Sequence, residues 1–305
     1  MTPYRVPVTA RLVDSLANQA PHLPDAAVDG DLLDPDVNRA YQAMRATAVG
    51  AEDFLAHCKS MLDGVYLDGF VIIEAAPLLD LVPEHGPRAA TSLLTWLATP
   101  LNVLDASPLW KPLGTDPEQV TSTGYQPFQI DIVNATRPPD YLAQWCLRPD
   151  PRGGGHTLVS HLRRAVLRLD DEERRLLTDR AFTHGDFDTL RGIGDEYRPF
   201  AVLDGREHRD GFVRFNARML PGMDSREAHS RAARALEREV IAGQRRFLLA
   251  RGDLIVINQH VCAHGRKRLG PDQATVHDDE HRMLHQMFLR ARRGSTHTSL
   301  GLARR

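Results

Sequence analysis

Two short segments, far apart in the chain, hold the residues best suited to chemistry. The first is Pro127-Phe128-Gln129-Ile130-Asp131. The second is Gly252-Asp253-Leu254-Ile255-Val256-Ile257-Asn258, followed by His264-Gly265-Arg266. Positions 129 and 131 are two apart, so in a strand both side chains point to one face. A third group, His264, then comes from a distant strand. An amide, a carboxylate and an imidazole together read as a mononuclear iron site of the two-histidine-one-carboxylate type, with Gln129 where one histidine would stand. Iron(II) held on one face by such a set keeps open positions for a bidentate 2-oxo acid and dioxygen, the arrangement that suits oxygenases. Glutamine for histidine exchanges one neutral donor for another, so the formal charge of the site is unchanged, but an amide oxygen is the poorer donor.

The elements that must position these groups follow from hydrophobic periodicity. Apolar residues at spacings of three and four predict a helix from Pro35 to Leu62, closed by Gly64. Gly69-Phe70-Val71-Ile72-Ile73, within 65–75, reads as a buried strand, and Ala89 to Ala98 as a second helix. Strands are predicted at Phe128–Val133 and Tyr141–Arg148, with a turn at Gly153-Gly154-Gly155. Leu158 to Leu169 reads as a strand passing into a helix, and Asp171 to Thr178 as a helix. Short strands and loops fill 187–220. A helix begins at Asp224, with Glu227 completing a capping box, and runs to about Gln244. Phe247 to Asn258 reads as a strand carrying a turn at Arg251-Gly252-Asp253, and Arg282 to Arg292 as the final strand. Many short strands with helices at one end imply an α+β fold, a double-stranded β-helix (jelly roll) core with flanking helices. Residues 1–30 read as an N-terminal arm that packs on the domain without defining it. Residues 31–305 read as a single jelly-roll domain whose tail frays from about 294.

Bulk properties exclude other classes. Lys+Arg 38 against Asp+Glu 40 gives a net charge of −2, so nothing favours nucleic acid as a partner. No apolar run approaches the roughly 20 residues that cross a bilayer, so no membrane partner is expected. The N-terminus lacks an apolar signal core. Three cysteines, Cys58, Cys146 and Cys262, show no metal or disulfide spacing and suit a reducing cytoplasm.

Five stretches carry a family resemblance: Pro127-Phe128-x-x-Asp131; Arg137-Pro138-Pro139-Asp140-Tyr141; Cys146-Leu147-Arg148 before Gly154-Gly155-x-Thr157; Gly252-Asp253-Leu254; and His264-Gly265-Arg266 with a later His281-Arg282-Met283-Leu284. In this order, over roughly 65–292, the chain resembles the taurine dioxygenase and clavaminate synthase group of iron(II)/2-oxoglutarate oxygenases, most closely the branch that hydroxylates amino acids. The resemblance implies that Asp131 is the metal carboxylate and His264 the distal ligand. It implies that Arg282 and Thr157 hold 2-oxoglutarate, a planar guanidinium meeting a carboxylate with two hydrogen bonds. The His264–Arg282 interval is longer than in that family, and 271–279 can hold the insertion. Arg290 is the rival for the role of Arg282. His156 stands where the family often has an acidic residue, and Ile257-Asn258 where it often has Asp-Asn.

Each residue also has a plain reading. Asp131 could be a strand-edge carboxylate, His264 a hydrogen-bonded core histidine, Arg282 a strand-face cation, and Asn134 either a turn residue or a contact to the substrate's polar head. Asp186, Asp188 and Asp195 lie in a segment that could cover the site. Three outcomes follow from Gln129: a working Gln-Asp-His iron site, recruitment of His156 or His260, or a fold that has lost iron. The expectation is an iron(II)/2-oxoglutarate-dependent oxygenase of a free or carrier-bound amino acid or similar small molecule, in specialised metabolism. The alternative is a metal-free descendant acting as a non-redox enzyme or small-molecule binding protein. Oligomeric state is not legible.

Overall fold

Tyr141–Arg148 becomes the strand at the middle of the larger of two facing sheets, and both of its faces are covered. The structure is a computed structural model and describes residues 4–23, 40, 51–63, 68–82, 85–101, 109–135, 138–184, 199–205, 212–221 and 226–291. Its strands are β1 (Arg5–Pro7), β2 (Phe70–Glu74), β3 (Thr99–Leu101), β4 (Lys111–Leu113), β5 (Gln126–Gln129), β6 (Tyr141–Arg148), β7 (Thr157–His161) and β8 (Phe182–Thr183). Then come β9 (Leu203–Asp204), β10 (Phe212–Val213), β11 (Leu220–Pro221), β12 (Arg245–Phe247), β13 (Asp253–Asn258), β14 (Cys262–Arg266) and β15 (Met283–Arg290). The helices are α1 (Ala10–Gln19), α2 (Ala51–Leu62), α3 (Ala76–Leu79), α4 (His85–Leu97), α5 (Val120–Thr123), α6 (Leu162–Val166), α7 (Asp171–Leu176) and α8 (Arg226–Ala242).

The larger sheet runs β1-β2-β13-β6-β15, with β3 and β4 both pairing β15. The smaller runs β12-β7-β14-β5. Apart from the parallel β1–β2 pair, the pairings in both sheets are antiparallel. Period-two alternation assigns the faces. Ala143, Trp145, Val256 and Met287 pack outward beneath α1, α2 and α4. Leu142, Cys146, Ile255, Ile257 and Leu284 point inward, where they meet Val159, Phe247 and Cys262 of the smaller sheet. The back of the smaller sheet, Leu158 and Ala263, packs on Ala232, Leu236 and Val240 of α8. This is the expected jelly roll with flanking helices. On β14 the alternation therefore sends His264 and Arg266 into the space between the sheets.

Three expectations change. Residues 4–23 are no mere arm. Strand β1 extends the larger sheet, and Leu12 and Leu16 of α1, one helical turn apart, are fully buried in the core. Arg5 donates to both carboxylate oxygens of Asp253 at 3.0 and 2.9 Å. Asp253 also caps Ala250 N at 2.8 Å, so the Gly252-Asp253-Leu254 stretch is a strand entry tied to the N-terminus, not a reacting group. The strand expected over Phe247–Asn258 is two strands in different sheets, β12 and β13, because the chain crosses between layers at Arg251-Gly252. Strand β5 stops at Gln129, and 131–134 is a turn in which Ile132 has φ 55°. Of the helix expected over Pro35 to Leu62, residue 40 and Ala51–Leu62 are described and helical, and the last long helix is described from Arg226. Gly64, Arg137, Asp186, Asp188, Asp195, Asp224 and the tail from 292 lie outside the described residues.

Candidate active site

Gln129 and His264 are direct ladder partners on β5 and β14, so their side chains share one face. Asp131 reaches the same place from the turn beyond β5. The Gln129 amide donates from Nε2 to Asp131 Oδ1 at 3.1 Å. His264 Nε2 faces Asp131 Oδ2 at 3.5 Å. Asp131 Oδ2 and His264 Nδ1 are buried and have no hydrogen-bond partner. Buried polar atoms are nearly always satisfied, so an orphaned carboxylate oxygen aimed at an imidazole is the signature of a site meant for something else.

The turn that carries Asp131 is clamped by residues that do not stand out as a set in the sequence. Gln259, fully buried, accepts from Asp131 N at 2.6 Å and donates to Pro139 O at 3.1 Å. Arg214, 2% exposed, donates to Val133 O at 2.8 Å and Ala135 O at 2.6 Å and pairs with Asp204. Next to this clamp, Asp140 accepts from His260 Nε2 at 2.5 Å and Ala291 N at 2.8 Å, and Arg290 Nη1 stands 3.5 Å away. Arg290 also donates to Pro138 O at 2.6 Å. His260 and Arg290 are thus both engaged in a structural network. Neither recruitment of His260 to the metal site nor the rival role of Arg290 is supported.

That network sets an acid limit. Burial pushes the Asp140 carboxyl up, but the His260 hydrogen bond and charge, the Ala291 amide and Arg290 outweigh it and hold it at about 2. A depressed carboxyl contributes stability that is fully present above its unfolded value of about 4 and is lost as pH falls through the folded one. We expect roughly 2 kcal/mol of unfolding free energy to disappear between about pH 4 and 2. Denaturant titrations at fixed pH should show this loss, and Asp140→Asn should flatten it. An Asp140→Asn slope equal to the parent's in that window would place the acid limit elsewhere.

A second cluster lies on the same interior face, two residues along β14. Arg266 is directly opposite Thr157 of β7 in the ladder, and both are buried. Arg282 precedes β15 and packs its stem on Gly155, where a Cβ would come within 3.2 Å of Arg282 Cδ and Nε and 2.6 Å of Leu269. Gly155 has φ 67°, which only glycine adopts without strain. Asp150 fastens this loop by accepting from Gly154 N at 2.9 Å, Gly270 N at 2.6 Å and Gln273 Nε2 at 3.0 Å. Burial lowers the Arg282 pKa, with Cys146 and Asp150 opposing. Burial and the Arg282 charge bring Arg266 down to about 10, with Asp150 opposing. A buried guanidinium, Arg266, and a half-buried one, Arg282, share one nearby carboxylate, Asp150, and that carboxylate is already taken by backbone amides. Arg266 donates to Ser122 O and Lys267 O. Arg282 has no hydrogen bond to a described carboxylate. The cluster therefore carries excess positive charge and suits an anion.

Residues 111–288, more than half the chain, match the profile described as taurine catabolism dioxygenase TauD, TfdA family. The chain belongs to this family. The TauD/TfdA-family chain is also 24% identical to clavaminate synthase 2 of Streptomyces clavuligerus over 320 residues, covering 96% of this chain and 91% of that protein. Among solved structures it resembles an asparagine oxygenase in complex with Fe(II), 3-hydroxyasparagine and succinate, with TM-score 0.73, 19% identity and coverage of 94% and 93%. It also resembles the non-haem iron oxygenase OrfP in complex with Fe and alpha-ketoglutaric acid, with TM-score 0.69, 20% identity and coverage of 94% of each chain. Both structural likenesses support the jelly-roll assignment.

In this TauD/TfdA-family chain the donor set fits a divalent cation in part. Asp131 Oδ2 and His264 Nε2 face each other, and the amide of Gln129 adjoins them. Among the described residues no group of three His, Cys, Asp or Glu could hold a metal ion, so neither His156 nor His260 replaces the missing histidine. Asn134 ends the same turn as Asp131 and is half-buried. Sequence reasoning missed one further polar pair on the interior face. Gln144 donates from Nε2 to Gln286 Oε1 at 3.3 Å, between strands β6 and β15. Their alternation with Leu142, Cys146 and Leu284 was the available signal. No described helix is long and apolar enough to cross a membrane.

Proposed function

We propose that the chain is an iron(II)/2-oxoglutarate-dependent oxygenase that oxidises a C–H bond of a free or carrier-bound amino acid, with a Gln-Asp-His site and a place in specialised metabolism. The observation that carries this reading is the buried Asp131 Oδ2, without a hydrogen-bond partner and 3.5 Å from His264 Nε2. Gln129, Asp131 and His264 would hold the iron. Bound iron supplies dioxygen activation coupled to decarboxylation of the 2-oxo acid, with succinate and carbon dioxide as products. Arg282 and Thr157 take the far carboxylate of 2-oxoglutarate, because the guanidinium brings unspent charge and a planar pair of donors. The apolar wall of Leu142, Ile255, Ile257 and Leu284 excludes water from the reacting groups. Asn134, beside Asp131, contacts the polar head of the substrate. The amino acid assignment draws on the relatives, one an asparagine oxygenase in complex with 3-hydroxyasparagine and the other, OrfP, in complex with (3R,4R)-dihydroxy-L-Arg.

Anaerobic addition of iron(II) and then 2-oxoglutarate should produce a visible charge-transfer band, and succinate should form only with iron, dioxygen and an amino acid present. A second reading, a metal-free binding protein or non-redox enzyme, is favoured by the Gln129 hydrogen bond onto Asp131. It expects an amino acid to raise the melting temperature by mass action in the presence of chelator. Absence of the band at saturating iron, together with that chelator-insensitive stabilisation, would decide for the second reading.

A further inference from the structure

Exchanging an imidazole for a carboxamide alters which cation a site prefers as well as how tightly it binds. Among the described residues no other His, Cys, Asp or Glu completes a set with Asp131 and His264, and His260 is held by Asp140. The donors available are therefore one imidazole nitrogen and two kinds of oxygen. Gln129 lies opposite His264 in the ladder, so its side chain cannot leave the face without breaking register. Its Nε2 is spent on Asp131 Oδ1, which leaves Oε1 as the donor atom of that amide and Oδ2 as the donor atom of the carboxylate.

We infer that Gln129 makes this a harder, oxygen-weighted cation site, one that discriminates less against manganese(II) and iron(II) relative to nickel(II) and zinc(II) than a site with two imidazoles. The inference rests on the reading of Gln129, Asp131 and His264 as a cation site. Affinity for first-row cations climbs from manganese toward copper, and imidazole suits the later ions, whereas carbonyl and carboxylate oxygens suit manganese and magnesium. Trading one nitrogen for one oxygen weakens every cation, but it weakens the late ones most. The Asp131 charge is untouched, so the change is one of donor softness and not of net charge.

The test uses the full-length, metal-free protein and two probes, manganese(II) followed by electron paramagnetic resonance and nickel(II) followed by calorimetry. Gln129→His should raise nickel(II) affinity by roughly 100-fold and manganese(II) affinity by no more than about 10-fold, so the ratio moves by about 10-fold. Gln129→Ala, which removes the oxygen without supplying nitrogen, should weaken manganese(II) by about 10-fold and serves if the histidine variant misfolds. Asp131→Asn should abolish both signals, which locates the bound ion. Equal gains for both cations in Gln129→His, or no loss of manganese(II) in Gln129→Ala, would overturn the inference and leave the cation site standing. Failure of the parent to bind either ion would overturn both.

Discussion

Asp131→Asn should abolish iron-dependent turnover and leave the melting temperature within about 3 °C of the parent. The two halves of this result come from different atoms of one side chain. Oδ1 accepts from Gln129 Nε2, and the backbone amide donates to Gln259 Oε1. Asparagine keeps both bonds, since its carbonyl oxygen replaces Oδ1 and its backbone is unchanged. Oδ2 is the atom with no partner, so stability loses little when it becomes an amide nitrogen. For a chain of this size a change of 1 kcal/mol moves the melting temperature by only about 2–4 °C. Function loses far more. An anionic first-contact oxygen becomes a donor N–H that cannot bind a cation, and even changes one layer further out cost about 10–100-fold in affinity. Iron(II) affinity should fall by at least about 100-fold, read by calorimetry or by loss of the charge-transfer band. A variant that lost several kcal/mol of stability together with activity would mark Asp131 as a structural carboxylate instead.

The legibility of this site in the sequence was uneven for a physical reason. Gln129, Asp131 and His264 stood out because their types and spacing are unusual inside apolar strands, and β14 does place His264 opposite Gln129. The strand face that spacing implies for Asp131 does not extend that far. The backbone leaves the strand because Ile130 N bonds to Phe215 O, a partner 85 positions away, and the chain then turns at Ile132. No local pattern encodes that contact. The clamps are equally non-local: Gln259 is 128 positions from Asp131, and Arg214 is 81 from Val133. As letters, a buried glutamine and a buried arginine are indistinguishable from their solvated counterparts. The N-terminal strand failed differently. Three residues are too few to show alternation, and β1 becomes a strand only by borrowing the edge of β2. Tyr141–Arg148 and the helix from Arg226 are legible because their periodicity is long and is satisfied locally.

Arg282→Leu should weaken the apparent affinity for the 2-oxo acid co-substrate, read as its KM, by roughly 100-fold while stability holds or improves. The half-buried Arg282 packs its stem on Gly155, and partial burial lowers its pKa because the charge is drawn from water without a carboxylate hydrogen-bonded to it. Replacing an unpaired, half-buried charge with an apolar side chain of similar reach removes a desolvation cost. The neighbouring Arg266 is then relieved of the repulsion that helps lower its own pKa. Ligand binding moves the other way, because losing a charge-assisted pair in a buried pocket typically costs about 2–5 kcal/mol. Arg282→Lys should recover part of the affinity, since it restores the charge but not the planar fork. The two variants together separate a co-substrate clamp from a strand-face cation. A clamp gives a large co-substrate KM increase in leucine, partial rescue in lysine and an unchanged or higher melting temperature. A strand-face cation would leave the co-substrate KM alone in both variants, and that result would remove Arg282 from the site.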